Sequence, residues 1–190
     1  MFGSKYSKFA MGLVAFGAAL TMGSANAATI TIDVGGIDSF GGYGEAGNTI
    51  ITALIGANAE VTGVTYDVTL EAFSPSWLSE ITVDFTDSAE TAGVALRPGF
   101  EDALPGVGSY SDTANLTDLG LNFNVGADGQ LRLQFYEGFD DASVAPDGKW
   151  LSGTLTFEVS ALAVPEPSTY ALMAFGLAGL GAVARRRKAG

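Results

Sequence analysis

An antiparallel β-sandwich or jelly roll of about eight to nine strands, flanked by an N-terminal signal helix and a C-terminal short transmembrane helix, is the fold that the sequence predicts. Three observations carry it. Apolar residues recur at every second position through the middle of the chain, no stretch there sustains a helical period, and each end joins an uncharged apolar run to basic residues. The 190 residues therefore divide into a signal peptide at 1–27, a β domain at 28–163 and a sorting segment at 164–190. Only the middle segment is long enough to bury a core of its own, about two thirds of its unfolded surface.

The N-terminal end reads as a cleaved leader. Lys5 and Lys8 make a short positive region, Phe9 to Met22 is apolar, and Ala25-Asn26-Ala27 places small residues where a signal peptidase needs them. Cleavage between Ala27 and Ala28 follows. As a permanent anchor the run is too short, since about 14 residues rising 1.5 Å each span only ~21 Å of a ~30 Å hydrocarbon core.

Strands follow in order. Weak ones are expected at 29–34 and 48–55. The first strong one alternates Val64, Tyr66, Val68 and Leu70 with Thr65, Asp67, Thr69 and Glu71, so that one face is apolar. Trp77, Ile81, Val83 and Phe85 continue the pattern around Thr82 and Asp84. Short strands are expected at 94–96 and 108–111. Leu121, Phe123 and Val125 alternate with Asn122 and Asn124, and Leu131, Leu133 and Phe135 alternate with Arg132 and Gln134. Gly126-Ala127-Asp128-Gly129 between these two supplies turn chemistry for a hairpin. The last strand sets Leu155, Phe157 and Val159 inside against Thr154, Thr156 and Glu158 outside. Many short strands with Gly, Pro, Asp and Ser punctuation describe two packed antiparallel sheets.

Composition excludes several kinds of chemistry. The chain carries −12 overall, but between residues 28 and 164 twenty acidic residues oppose Arg97, Arg132 and Lys149, leaving −17. Such a surface repels phosphate backbones, so no nucleic acid partner is expected, and it attracts divalent cations. With no His and no Cys, there is no disulfide, no Cys- or His-liganded zinc, and no His-dependent nucleophilic catalysis. The domain must hold by its core alone.

Candidate chemistry in the middle is sparse. Gly42-Tyr43-Gly44-Glu45-Ala46-Gly47 matches a dinucleotide fingerprint, with Asp67 about 20 residues on, but the β-branched residues after Asn48 oppose the helix that the fingerprint requires. It reads as a Gly-rich loop. Glu137, Asp140, Asp141 and Asp147 crowd one loop between strands, where like charges repel unless screened. Calcium, which takes oxygen ligands in flexible loops, is one answer, and a solvated acidic tip is the other. The spacing is not that of an EF-hand. No enzyme is expected: twenty acids make a carboxylate pair inevitable by chance, and Lys149 sits in no S-x-x-K motif. Tyr110, Tyr136, Phe139 and Trp150 fall near strand ends, where they either stack against sugar rings or close the ends of the sandwich. Asn115-Leu116-Thr117 fits a glycosylation sequon, a motif that by itself means little.

At the C-terminal end, Val164-Pro165-Glu166-Pro167 precedes an uncharged Gly- and Ala-rich run from Thr169 to Ala184, followed by Arg185, Arg186, Arg187 and Lys188. The four cations hold the tail in the cytoplasm, and the short run suits transient membrane residence beside another membrane protein. This arrangement resembles the PEP-CTERM sorting signal. The resemblance implies recognition by an exosortase, a polytopic membrane protease or transpeptidase, and transfer to the cell surface.

A looser resemblance covers the middle. Ser76-Trp77-Leu78-Ser79-Glu80-Ile81, Gly93, Leu96-Arg97-Pro98-Gly99, Gly129-Gln130-Leu131-Arg132-Leu133 and Gly153-Thr154-Leu155-Thr156-Phe157 are similar to the P-domain jelly roll found beside some secreted proteases. Leu131 stands where that family has Trp, and Trp150 precedes the last strand by several residues. The resemblance implies a non-catalytic accessory module. The expected protein is thus exported, held transiently at the inner membrane, and delivered to the cell surface or to an extracellular biofilm matrix. There it would act structurally or by binding polysaccharide. A calcium-dependent adhesin and an enzyme acting on surface polysaccharide are the alternatives.

Overall fold

A computed structural model describes residues 27–160, except 142 and 144. The signal helix with Ala25, the motif Val164 to Pro167, the membrane run and the basic tail Arg185 to Lys188 lie outside the described residues. Ala27 and Ala28 open the first strand.

Ten strands form two antiparallel sheets: β1 (Ala27–Asp33), β2 (Ile37–Ser39), β3 (Ile50–Leu54), β4 (Glu60–Ala72), β5 (Ile81–Asp87), β6 (Gly93–Leu96), β7 (Gly106–Asn115), β8 (Phe123–Asn124), β9 (Gln130–Glu137) and β10 (Gly148–Ser160). One sheet has the order β1-β10-β4-β7, with β2 also on β10 and β8 also on β4, and the other has the order β3-β9-β5-β6. The period-2 pattern explains the layering. Leu155, Phe157 and Val159 of β10 and Val64, Val68 and Leu70 of β4 are buried on one side of the core. Ile81, Val83 and Phe85 of β5 and Leu131, Leu133 and Phe135 of β9 are buried on the other. Two edge-on aromatic pairs cross between the sheets, Phe85 with Phe157 at 5.1 Å and Phe135 with Trp150 at 5.2 Å between ring centres. Pairs of this kind contribute about 0.5–1.5 kcal/mol each beyond their buried area.

The polar faces of the first sheet are tied by hydroxyls. Thr31, Thr156, Thr65 and Thr113 stand in one cross-strand row. Within it the Thr31 and Thr156 hydroxyls lie 2.9 Å apart, as do those of Thr65 and Thr113. At Gly153 the backbone has φ 120 and a Cβ would meet the Asp67 carbonyl oxygen at 2.1 Å, so only glycine lets β10 run this close to β4.

Four expectations change. Residues 126–129 do form a turn, with the Gly129 N–H donating to the Gly126 carbonyl at 3.0 Å, but it joins no hairpin. β8 pairs with β4 in one sheet while β9 lies in the other, so the turn carries the chain across the sandwich. Turn chemistry is local; the pairing partner is not. Secondly, Leu121 is exposed, because residues Leu116–Leu119 form a helical turn that breaks the alternation before it. Asn115 of the sequon caps that turn, its side-chain oxygen accepting from the Asp118 N–H at 3.1 Å. Thirdly, the strand expected from Trp77 begins only at Ile81, after a 3-10 turn at Leu78–Glu80, and Leu78 takes the buried place. Fourthly, the last strand starts at Gly148, six residues early, and draws Trp150 into the core.

Candidate functional site

Three loops meet at one end of the sandwich and leave a cleft of about 380 Å³. Trp77 stands before the 3-10 turn, Phe100 and Glu101 lie in the loop after β6, and Phe139 follows β9; Arg97 and Glu80 complete the walls. Trp77 is 46% exposed, Phe100 70% and Phe139 63%. Large aromatic faces so open to water cost free energy and go unexplained by the fold itself.

The scaffold under them is braced. The backbone N–H groups of Leu78 and Ser79 donate to the carbonyls of Leu104 and Asp102, each at 3.0 Å, fastening the first loop to the second. The Gly138 N–H donates to the Glu80 carbonyl at 2.7 Å, fastening the third loop to the first. The Glu80 carboxylate accepts from the Trp77 N–H at 2.8 Å and stops the 3-10 turn from fraying. Gly99 passes so close that a Cβ would sit 2.6 Å from the Leu78 carbonyl oxygen. Asp102 accepts from the Tyr110 hydroxyl at 2.7 Å, and burial together with this carboxylate pushes the phenol up to about 12. The cleft is thus presented by ordered backbone, the condition for low-cost recognition.

Of the four aromatics singled out from the sequence, only Phe139 reaches the cleft. Tyr110 turns inward to Asp102. Tyr136 donates to Asp84 at 2.8 Å and meets Tyr43 edge-on at 5.3 Å; burial and that carboxylate push its phenol up. Trp150 is fully buried. Trp77 and Phe100 were not legible as a pair, since they lie 23 positions apart and their meeting depends on two loops closing together. The punctuation around them, Ser74-Pro75 and Arg97-Pro98-Gly99, was the available signal.

Glu137 ends β9 and Asp140, Asp141 and Asp147 lie in the loop before β10, and among the described residues no group of three or more acidic side chains is placed to hold a metal ion. Asp140 is exposed. The Asp141 carboxylate accepts from the Ser76 hydroxyl at 2.8 Å, and the Asp147 carboxylate accepts from the Asp141 N–H, also at 2.8 Å. Glu137 points into the domain and is 1% exposed, and neither of its oxygens has a hydrogen-bond partner. Burial pushes it up to about 8, partly offset by the nearby Ser39 hydroxyl and reinforced by Asp147, Glu80 and Asp141. At neutral pH it is therefore mostly protonated.

A second, shallower pocket of about 300 Å³ lies on the outer face of β5 and β6, lined by Tyr43, Asp84, Thr86, Glu90, Thr91 and Val94. Tyr43, Asp84, Glu90 and Thr91 of this lining are already engaged, while the Thr86 hydroxyl is buried without a partner. The Tyr43 hydroxyl donates to Glu90, and Arg132 pairs with Glu90 at 3.4 Å. The Gly42 to Gly47 fingerprint falls in the loop bearing Tyr43, between β2 and β3, with no helix after it.

The comparisons with known proteins bear on the two parts differently. No curated protein matches the chain. A solved structure of the infectious bursal disease virus VP2 subviral particle is similar at a TM-score of 0.37 and 13% identity, covering 80% of this chain and 37% of that one. A nora virus structure is similar at a TM-score of 0.25 and 10% identity, covering 74% and 59%. The chain spans less than two thirds of either. The family described as the PEP-CTERM protein-sorting motif matches residues 163–188, which contain Pro165-Glu166-Pro167, the apolar run and the basic tail. By that match the chain carries a C-terminal PEP-CTERM protein-sorting motif, which supports export and sorting by an exosortase.

Proposed function

We propose that the β-sandwich is a non-catalytic module of the cell surface or extracellular matrix that holds polysaccharide in the cleft of Trp77, Phe100 and Phe139. The observation that carries this reading is the trio of exposed aromatic faces on braced loops, with Arg97, Glu80 and Glu101 beside them. Aromatic faces stack against the C–H side of sugar rings, and fork-shaped guanidinium and carboxylate groups hydrogen-bond to vicinal hydroxyls. Signal peptidase releases the leader after Ala27, and an exosortase acts near Pro165-Glu166-Pro167 once the basic tail has arrested the chain in the membrane. Two arms test this reading. In retention on insoluble polysaccharide, the Trp77→Ala/Phe139→Ala double variant should lose at least about tenfold in affinity, as expected of aromatic anchors; unchanged retention overturns the binding site. In the native host, Glu166→Ala or removal of Arg185 to Lys188 should leave the chain in the inner membrane. Undisturbed surface delivery of both variants would reduce the C-terminus to a plain anchor.

A further inference from the structure

We propose that the cleft selects a cationic polysaccharide, a hexosamine polymer bearing free amines, over neutral and acidic glycans. The inference rests on the reading that the cleft holds a sugar chain, and it assigns the class of that chain from charge.

Residues 27–160 carry twenty acids and three cations. Two of those cations are taken: Arg132 pairs with Glu90 at 3.4 Å and Lys149 with Asp38 at 2.9 Å. The third, Arg97, lines the cleft with Glu80 and Glu101 without an ion pair to either among the described residues, and the exposed Asp140 follows Phe139 in the chain. Two carboxylates against one guanidinium leave the lining net negative within a strongly negative domain. A uronate polymer brings charges of the sign that already dominates the rim, and each residue bound adds repulsion. A neutral glycan gains the stacking and nothing from the field. An amine-bearing ring gains both, because an ammonium is drawn to carboxylates and to the faces of Trp and Phe. The three open aromatic faces thus serve twice, as platforms for the ring and as partners for its charge. Glu101 occupies a left-handed backbone conformation, φ 74, at the tip of the Arg97–Leu104 loop, and its carboxylate is not engaged in any hydrogen bond or ion pair among the described residues. It is the group best placed to meet an incoming ammonium.

The test uses the full chain in detergent and three oligosaccharides of equal length: a deacetylated glucosamine oligomer, its N-acetylated counterpart and a galacturonate oligomer. Affinities are measured at low salt and in about 0.5 M NaCl, where the screening length falls to about 4 Å. The deacetylated oligomer should bind about tenfold more tightly than the N-acetylated one, the uronate should bind weakest, and salt should narrow the first gap. Glu101→Gln should narrow it further, weakening the deacetylated oligomer more than the N-acetylated one. Trp77→Ala/Phe139→Ala, checked for unchanged thermal unfolding, should lose the deacetylated oligomer. If that variant keeps it, the amine is held by bulk charge and the proposal fails. Equal affinities for the deacetylated and N-acetylated oligomers overturn the selectivity but leave the polysaccharide reading standing. Binding of none of the three overturns both.

Discussion

The two tryptophans of the chain live in opposite surroundings. Trp150 is sealed in the core against Phe135, while Trp77 stands 46% exposed at the mouth of the cleft. The sequence pattern suggested the reverse, placing Trp77 on the inner face of a strand and Trp150 near an outer loop. The contrast teaches that alternation ranks residues only within a strand whose ends are known. β10 reaches back to Gly148 because Gly148, Lys149 and Trp150 find partners in both β2 and β4. β5 starts late because Trp77 to Glu80 closes a 3-10 turn instead. One tryptophan is held by the fold, and the other is displayed by it.

Truncating the buried one should have the largest effect. Trp150→Ala removes a fully enclosed indole, and urea unfolding should show a loss of about 3–5 kcal/mol. Trp150→Phe sharpens the point. The buried indole Nε1 has no hydrogen-bond partner, so Trp150→Phe sacrifices no bond and loses only the packing of the part of the ring system it deletes, which should cost clearly less than Trp150→Ala. A loss equal to that of Trp150→Ala would mean that the phenyl ring packs no part of the site.

Next comes Glu137, two residues from Phe139 on the same strand end. Its folded value of about 8 lies above its ordinary 4.5, so the folded state holds the proton more tightly than the unfolded chain does. The part of the stability linked to Glu137 is then complete below about pH 4.5, declines as the pH rises, and is gone beyond about pH 8, a change on the order of a few kcal/mol. Comparing urea midpoints at about pH 5 and about pH 9 should show this fall in the wild type and a flatter profile in Glu137→Gln. Identical slopes would mean that another group carries the dependence, with Asp147, also raised by burial, the first suspect.

The smallest effect on stability belongs to the displayed residues. Trp77→Ala or Phe139→Ala should change the unfolding free energy by less than about 1 kcal/mol, since neither side chain is packed in the core. Such a pair of results, a large loss at Trp150 and almost none at Trp77, is the thermodynamic form of the comparison. A loss at Trp77 approaching that at Trp150 would make the cleft part of the core.

Much of this was readable in one dimension. Val64 to Glu71, Leu131 to Phe135 and Leu155 to Phe157 announced strands because a side chain's face in a strand follows from its parity alone. The sorting motif at 163–188 was readable for a similar reason, since Pro-Glu-Pro, an apolar run and consecutive cations act in linear order. The cleft was not. Its walls come from three loops separated by β5, β6 and β9, and neither Trp77 nor Phe100 carries a local mark of exposure. The acidic loop shows the same limit: nothing in the run of four carboxylates indicates that the Ser76 hydroxyl donates to Asp141 or that the Asp141 N–H donates to Asp147, because Ser76 lies far away in the chain.

What the sequence determined by itself is therefore the all-β character, the absence of His and Cys chemistry, the negative charge and the sorting address, all properties of residue order or composition. Only the tertiary structure decided which sheet β8 joins, which tryptophan is buried, that Glu137 lies inside, and that three aromatic faces share one cleft. Those outcomes depend on contacts between segments distant in the chain. They follow from the competition among all strands for partners and for the core, a competition that no local pattern encodes.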